Sequence, residues 1–135
     1  MKINKILDKN QLEYINSLVK KLEFIDGKVS AAGLAKKVKN NTQVNPIGDT
    51  YHEIHNYIQK ILNENTWIKN RFFPKQFSST MINKYLVGES YGRHMDSSHI
   101  QTLKYGVLRR DYSYTLMLTN KADYSGGELK IENPE

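Results

Sequence analysis

The 135-residue chain contains no cysteine. Disulfide scaffolds, thiolate nucleophiles, zinc ribbons and iron–sulfur clusters are thereby excluded, and a reducing cytoplasm is the expected compartment. No apolar run approaches the roughly 18 residues of a membrane span, so no membrane association is expected. The opening Met1-Lys2-Ile3-Asn4-Lys5-Ile6-Leu7-Asp8 has two lysines but no apolar stretch behind them, which argues against a signal peptide. Internal repeats and low-complexity segments are absent too. What is present is 39% apolar, 10% aromatic and 25% charged residues, the composition of an ordinary globular domain. The length bounds the chain at one domain, residues 1–135, which should bury roughly two thirds of its unfolded surface.

Twenty Lys and Arg face fourteen Asp and Glu, a net charge of +6. Residues 1–67 and 68–135 each carry ten basic and seven acidic residues, so the excess forms no tail or arm. An evenly lysine-dotted face is the plain reading, and nucleic acid is not expected as a partner. The competing reading, a basic nucleic-acid-binding module, would use Lys36, Lys37 and Lys39 with Asn40 and Asn41.

A first helix is expected from Lys9 to about Phe24, where Leu12, Ile15, Leu18, Val19 and Leu22 form one apolar stripe, with Asp26-Gly27 as its stop. Gly27 to Gly48 reads as a long polar loop with a short strand around Lys37 to Val44, and its length marks it as a candidate lid. Thr50-Tyr51-His52-Glu53 fits a capping box opening a second helix, continued by Ile54, Ile58, Ile61 and Leu62 to about Asn65. His52 and His55 stand three apart there, but no third ligand is near enough to make them a metal site. After Trp67 the texture turns to β: Phe77 to Leu86, Tyr112 to Leu118 and Glu128 to Ile131 read as strands, with Ser125-Gly126-Gly127 as a turn. Helices first and strands after, divided near residue 70, predict an α+β chain whose sheet carries the chemistry.

The informative stretch is Tyr85-Leu86-Val87-Gly88-Glu89-Ser90-Tyr91-Gly92-Arg93-His94-Met95-Asp96. On an extended strand His94 and Asp96, two apart, leave the same face and can reach one ion. They are two thirds of the facial triad that leaves three positions open on non-haem Fe(II), two for a 2-oxo acid and one for dioxygen. A bare His-x-Asp is weak evidence. Here it sits in the full spacing Tyr-x2-Gly-x2-Tyr-x2-His-x-Asp.

With that spacing the chain resembles the Fe(II)- and 2-oxoglutarate-dependent hydroxylases of the prolyl 4-hydroxylase superfamily, and more narrowly the PKHD-type hydroxylases. Phe24 to Val29 with Val38 to Val44, then Tyr85 to Asp96, then Arg110 to Leu116 running on to Asp123 to Leu129 carry the likeness. The resemblance implies a double-stranded β-helix (jelly roll) behind N-terminal helices. It implies Fe(II) held by His94 and Asp96, 2-oxoglutarate as co-substrate with Tyr85 on its distal carboxylate, and L-ascorbate as a further ligand. The reaction implied is hydroxylation of an unactivated C–H bond of a small-molecule or peptide substrate, with O2 consumed and succinate formed. Core packing is the alternative role for Tyr85. Tyr91 is expected to be wall rather than ligand, Arg110 or Asp111 to orient a neighbour of the iron or form a surface ion pair, and Glu128 to serve the fold. His99 is not expected to be the missing ligand.

In the family, the distal iron-binding histidine and the basic residue that anchors the co-substrate follow the Gly-Gly-Glu-Leu turn. The chain has neither, so the jelly roll is expected to be incomplete at the C-terminus, with an edge exposed or paired in a homodimer. A fragment of weak or no activity is expected, and a non-catalytic remnant is the other reading.

Overall fold

The computed structural model describes residues 5–102 and 106–132. The first four residues, read above for a leader, lie outside the described residues.

Helix α1 (Lys9–Val19) starts at a capping box. The Asp8 carboxylate accepts from the Gln11 N–H at 2.8 Å, and the Asp8 N–H donates to the Gln11 side chain at 3.0 Å. Ile15 and Leu18 bury its apolar face. The helix stops five residues before the expected Phe24, because strand β1 (Phe24–Asp26) spends its backbone bonds on β3 (Thr42–Val44) instead. Leu22 and Phe24 still pack on the core, so their spacing reports burial beyond the helix that carries it.

The expected loop from Gly27 to Gly48 is built rather than free. It holds a 3-10 turn (Gly27–Ser30), a short helix α2 (Gly33–Lys37) and strands β2 (Lys39–Asn40) and β3. Lys39, Asn41 and Gln43 are buried within it, which removes the lid reading. Residue 27 has to be glycine, since an added Cβ would run into the Asn41 side chain and stand 2.9 Å from the Asn41 carbonyl oxygen.

Helix α3 (Asp49–Glu64) buries Tyr51, Ile54, Ile58 and Leu62. Its expected capping box does not form. Gly48 is the N-cap without a side-chain bond, and Glu53 instead accepts from the Tyr14 hydroxyl. Helix α4 (Thr66–Phe72) replaces the β texture expected after Trp67. The Asn65 side chain caps it at the Ile68 N–H (2.9 Å), and Trp67 and Phe72 meet edge to face.

The remaining strands are short: β4 (Asn83–Lys84), β5 (Ser90–Tyr91), β6 (His99–Thr102) and β7 (Gly106–Arg109). They form three antiparallel sheets, β1-β3-β4, β2-β5 and β6-β7. The chain is therefore α+β, as expected, but strands are interleaved with the helices, and the described residues close no jelly roll. Tyr112 to Leu118 and Glu128 to Ile131, read as strands, make no ladder there. The first of them still packs: Leu116 and Leu118 touch the core, and the Leu118 carbonyl accepts from Asn16 at 2.8 Å.

Ile15, Leu18, Val44, Tyr51, Ile54, Ile58, Leu62, Ile68 and Ile82 form one buried cluster. Each such side chain contributes about 1.5–3 kcal/mol by leaving water. No described helix is long and apolar enough to cross a membrane.

Candidate metal centre

His94 and Asp96 lie in the irregular segment between β5 and β6, not on one strand as expected. What brings them together is hydrogen bonding and stacking. His94 Nδ1 stands 2.7 Å from the Gly92 carbonyl oxygen. A carbonyl only accepts, so Nδ1 carries the proton and Nε2 keeps its lone pair in the neutral ring. The imidazole lies flat on Tyr91, ring centroids 3.6 Å apart and planes 9° from parallel. Asp96 is oriented through its other oxygen, Oδ2, which accepts from the Ser113 hydroxyl at 3.0 Å.

The result is His94 Nε2 and Asp96 Oδ1 facing each other at 3.5 Å, with the imidazole 23% and the carboxylate 64% exposed. Two acceptors at that distance repel unless a proton or a cation stands between them. Donors at about 2.1 Å from one ion and at right angles would be about 3 Å apart, so the pair is close to a chelating geometry. An imidazole nitrogen with a carboxylate oxygen is also the donor chemistry a ferrous ion takes. The pair therefore fits two positions of such an ion. Among the described residues no third His, Asp or Glu joins them. His99 opens β6, with its ring bonded to the Ser98 hydroxyl at 2.9 Å.

Tyr85 follows β4 directly and is half exposed. Burial is the largest influence on its phenol and pushes the pKa up; the nearby Asn41 side chain opposes this, and Tyr91 and Glu89 add to it. Tyr91 is likewise shifted up, by burial first and by the Asp96 carboxylate second. Asp111 pairs with exposed Arg109 at 2.7 Å, the surface ion pair weighed for it, worth about 0–1 kcal/mol. The Arg110 N–H donates to the Ser98 carbonyl at 2.7 Å.

Behind Tyr91 stands a residue that the sequence reading placed on a basic face. Lys39 is 2% exposed, which takes it out of any nucleic-acid surface with Lys36 and Lys37. Its ammonium donates to Ser30 Oγ (2.8 Å) and Gln43 Oε1 (3.2 Å) and lies 5.2 Å from the centroid of the Tyr91 ring. Burial lowers its pKa, with the Asp26 carboxylate opposing. Lys39 and Ser113 both escaped sequence reasoning. Lys39 sat in a charge run that read as solvated, and a lone serine 17 residues from its carboxylate gives no signal. His52 and His55, excluded above as a metal pair, serve the fold: His55 stacks on Tyr51 and its Nδ1 accepts from the Thr80 N–H at 3.3 Å.

Similarity to known proteins agrees with the family resemblance. The chain is 35% identical over 130 residues to a PKHD-type hydroxylase of Gloeothece citriformis, covering 96% of this chain and 57% of that protein. It is 33% identical over 133 residues to one of Rippkaea orientalis (98% and 59%) and 33% identical over 132 residues to one of Aliarcobacter butzleri (97% and 58%). The chain thus spans under three fifths of the length of these curated relatives. No family model and no solved structure matches. With the relatives' sequence running along nearly all of its residues, the chain belongs to the PKHD-type hydroxylase family.

Proposed function

We propose that the chain carries part of the catalytic centre of an Fe(II)- and 2-oxoglutarate-dependent hydroxylase, with His94 Nε2 and Asp96 Oδ1 as two of the iron's protein donors. The single observation behind this reading is the approach of those two atoms to 3.5 Å, on an imidazole whose other nitrogen is committed to a backbone carbonyl. Bound iron supplies the oxidising chemistry by which O2 and 2-oxoglutarate convert a C–H bond to C–OH, with succinate and CO2 as the other products.

The chain's own residues supply position. The Gly92 carbonyl fixes the imidazole tautomer, the Tyr91 ring covers one face of the imidazole, and Ser113 aims the carboxylate. Tyr85, poised beside Asn41, is the proposed hydrogen-bond donor to the distal carboxylate of 2-oxoglutarate. The described sheets belong, in this proposal, to the opening part of a jelly roll.

Two protein donors hold a divalent ion less firmly than three, so the 135-residue chain should turn over 2-oxoglutarate weakly at most. The decisive measurement is an anaerobic Fe(II) titration by calorimetry on the chain and on His94→Ala and Asp96→Ala. Each substitution should lower affinity at least tenfold while leaving the thermal melt unchanged, since both groups lie outside the core. Equal iron affinity in all three proteins would overturn the assignment.

A further inference from the structure

The buried ammonium of Lys39 has no ion-pair partner among the described residues, and the Asp26 carboxylate acts on it only from a longer range. Burying a charge is costly unless its partners need it, and the two side chains it touches already satisfy each other: Ser30 Oγ donates to Gln43 Oε1 at 2.5 Å. Among the described residues no carboxylate comes within ion-pair distance. A further neighbour is the Tyr91 ring, 5.2 Å from the ammonium and within the range of cation–π attraction. One face of that ring is covered by the His94 imidazole, ring centroids 3.6 Å apart.

The backbone carries the same connection. Lys39 stands opposite Tyr91 in the two-residue ladder of β2 and β5, and the Gly92 N–H donates to the Val38 carbonyl at 2.8 Å. So short a ladder places the Tyr91 backbone but does little to hold its ring. Tyr91 is otherwise only partly buried. The ammonium and the stacked imidazole are the charged and aromatic contacts available to fix its orientation.

We propose that Lys39 is a positioning residue for the His94–Asp96 pair: its ammonium clamps the Tyr91 ring, and the ring in turn holds the imidazole that presents Nε2 to Asp96. The consequence for metal affinity rests on the reading of His94 as a ligand; the consequence for ring order does not.

The test compares the 135-residue chain with Lys39→Met, which keeps the stem and removes charge and donors, and with Lys39→Arg, which keeps the charge. Two readouts are taken. The first, without metal, is NMR of the His94 side chain: its tautomer from long-range nitrogen–proton correlations, and its proton contacts with Tyr91. The second is Co(II) affinity by calorimetry. Lys39→Met should lose the Tyr91–His94 contacts and the single Nδ1–H tautomer and bind Co(II) about tenfold more weakly, with arginine restoring both.

Unchanged His94 signals in Lys39→Met would overturn the inference, whatever the metal does, and so would equal Co(II) affinity in a chain that binds the ion. If Co(II) binds neither protein while the ring signals change, the positioning role stands and the iron-ligand reading falls. Should Lys39→Met fail to melt cooperatively, Lys39→Gln decides by the same signals, because its amide can still bond Ser30 and Gln43 without a charge.

Discussion

At His94 the ring is held from several directions at once, and Gly92 contributes to two of them. Its carbonyl takes the Nδ1 proton, and its N–H ties β5 to Val38. A Cβ at position 92 would stand 3.0 Å from the Val38 Cβ and 3.5 Å from the Val38 carbonyl oxygen, so the two strands would have to part. Gly92→Ala should therefore cost about 1–3 kcal/mol, the usual range for overpacking, and should weaken metal binding along with it. A thermal melt and a Co(II) titration on the same sample check this; an alanine variant with wild-type values for both would show that the contact is slack. The His-x-Asp pair itself was legible in the sequence because its two members are neighbours along the chain. The groups that orient the pair were not. Lys39 and Tyr91 are 52 residues apart and meet through the β2-β5 ladder, and Ser113 reaches Asp96 from the far side of the paired strands β6 and β7.

At the scale of elements, the two long helices α1 and α3 were legible, and the short helices α2 and α4 and most of the strands were not. Tyr51, Ile54, Ile58 and Leu62 recur at a mixed spacing of three and four that a helix, but not a strand, puts on one face, and α3 buries all four. Strands of two to four residues leave no comparable period, and the ladder partner, not the local sequence, decides whether an extended stretch such as Tyr112 to Leu118 becomes a strand. Helix α3 also carries a pH dependence. Burial, reinforced by His52, holds the His55 pKa below 6.5, and the Thr80 N–H donates to the neutral ring. The unfolded chain therefore binds this proton more readily than the folded one. The stability from His55 is complete above about pH 6.5 and is lost as the pH falls from there through the depressed folded value. Urea midpoints measured from pH 8 to pH 5 should fall, and His55→Gln should flatten the part of that fall due to this ring. An unaltered slope in the variant would remove His55 as its source.

Across the whole molecule, burial and chemistry occupy different parts of the chain. Every hydrophobic residue of the buried cluster lies between Ile15 and Ile82, whereas Tyr85, Val87, Met95, Val107, Tyr112 and Ile131, all beyond it, are among the exposed large hydrophobics. His94, Asp96 and Ser113 belong to that second part, tied back to the first through the β2-β5 ladder and the Leu116 and Leu118 contacts. A segment with few buried apolar contacts opens at low free energy without the rest of the protein unfolding. Amide hydrogen exchange should consequently divide the chain. Amides of α1 and α3 should exchange near the free energy of global unfolding, and those of β6 and β7 should exchange orders of magnitude faster. A divalent ion joining His94 to Asp96 binds only the closed arrangement, so saturating Co(II) should slow exchange in the second part and leave α1 and α3 nearly unchanged. Uniform protection along the chain in the absence of metal would mean that the site is held by the core after all, and metal-induced protection confined to the helices would place the ion somewhere other than between His94 and Asp96.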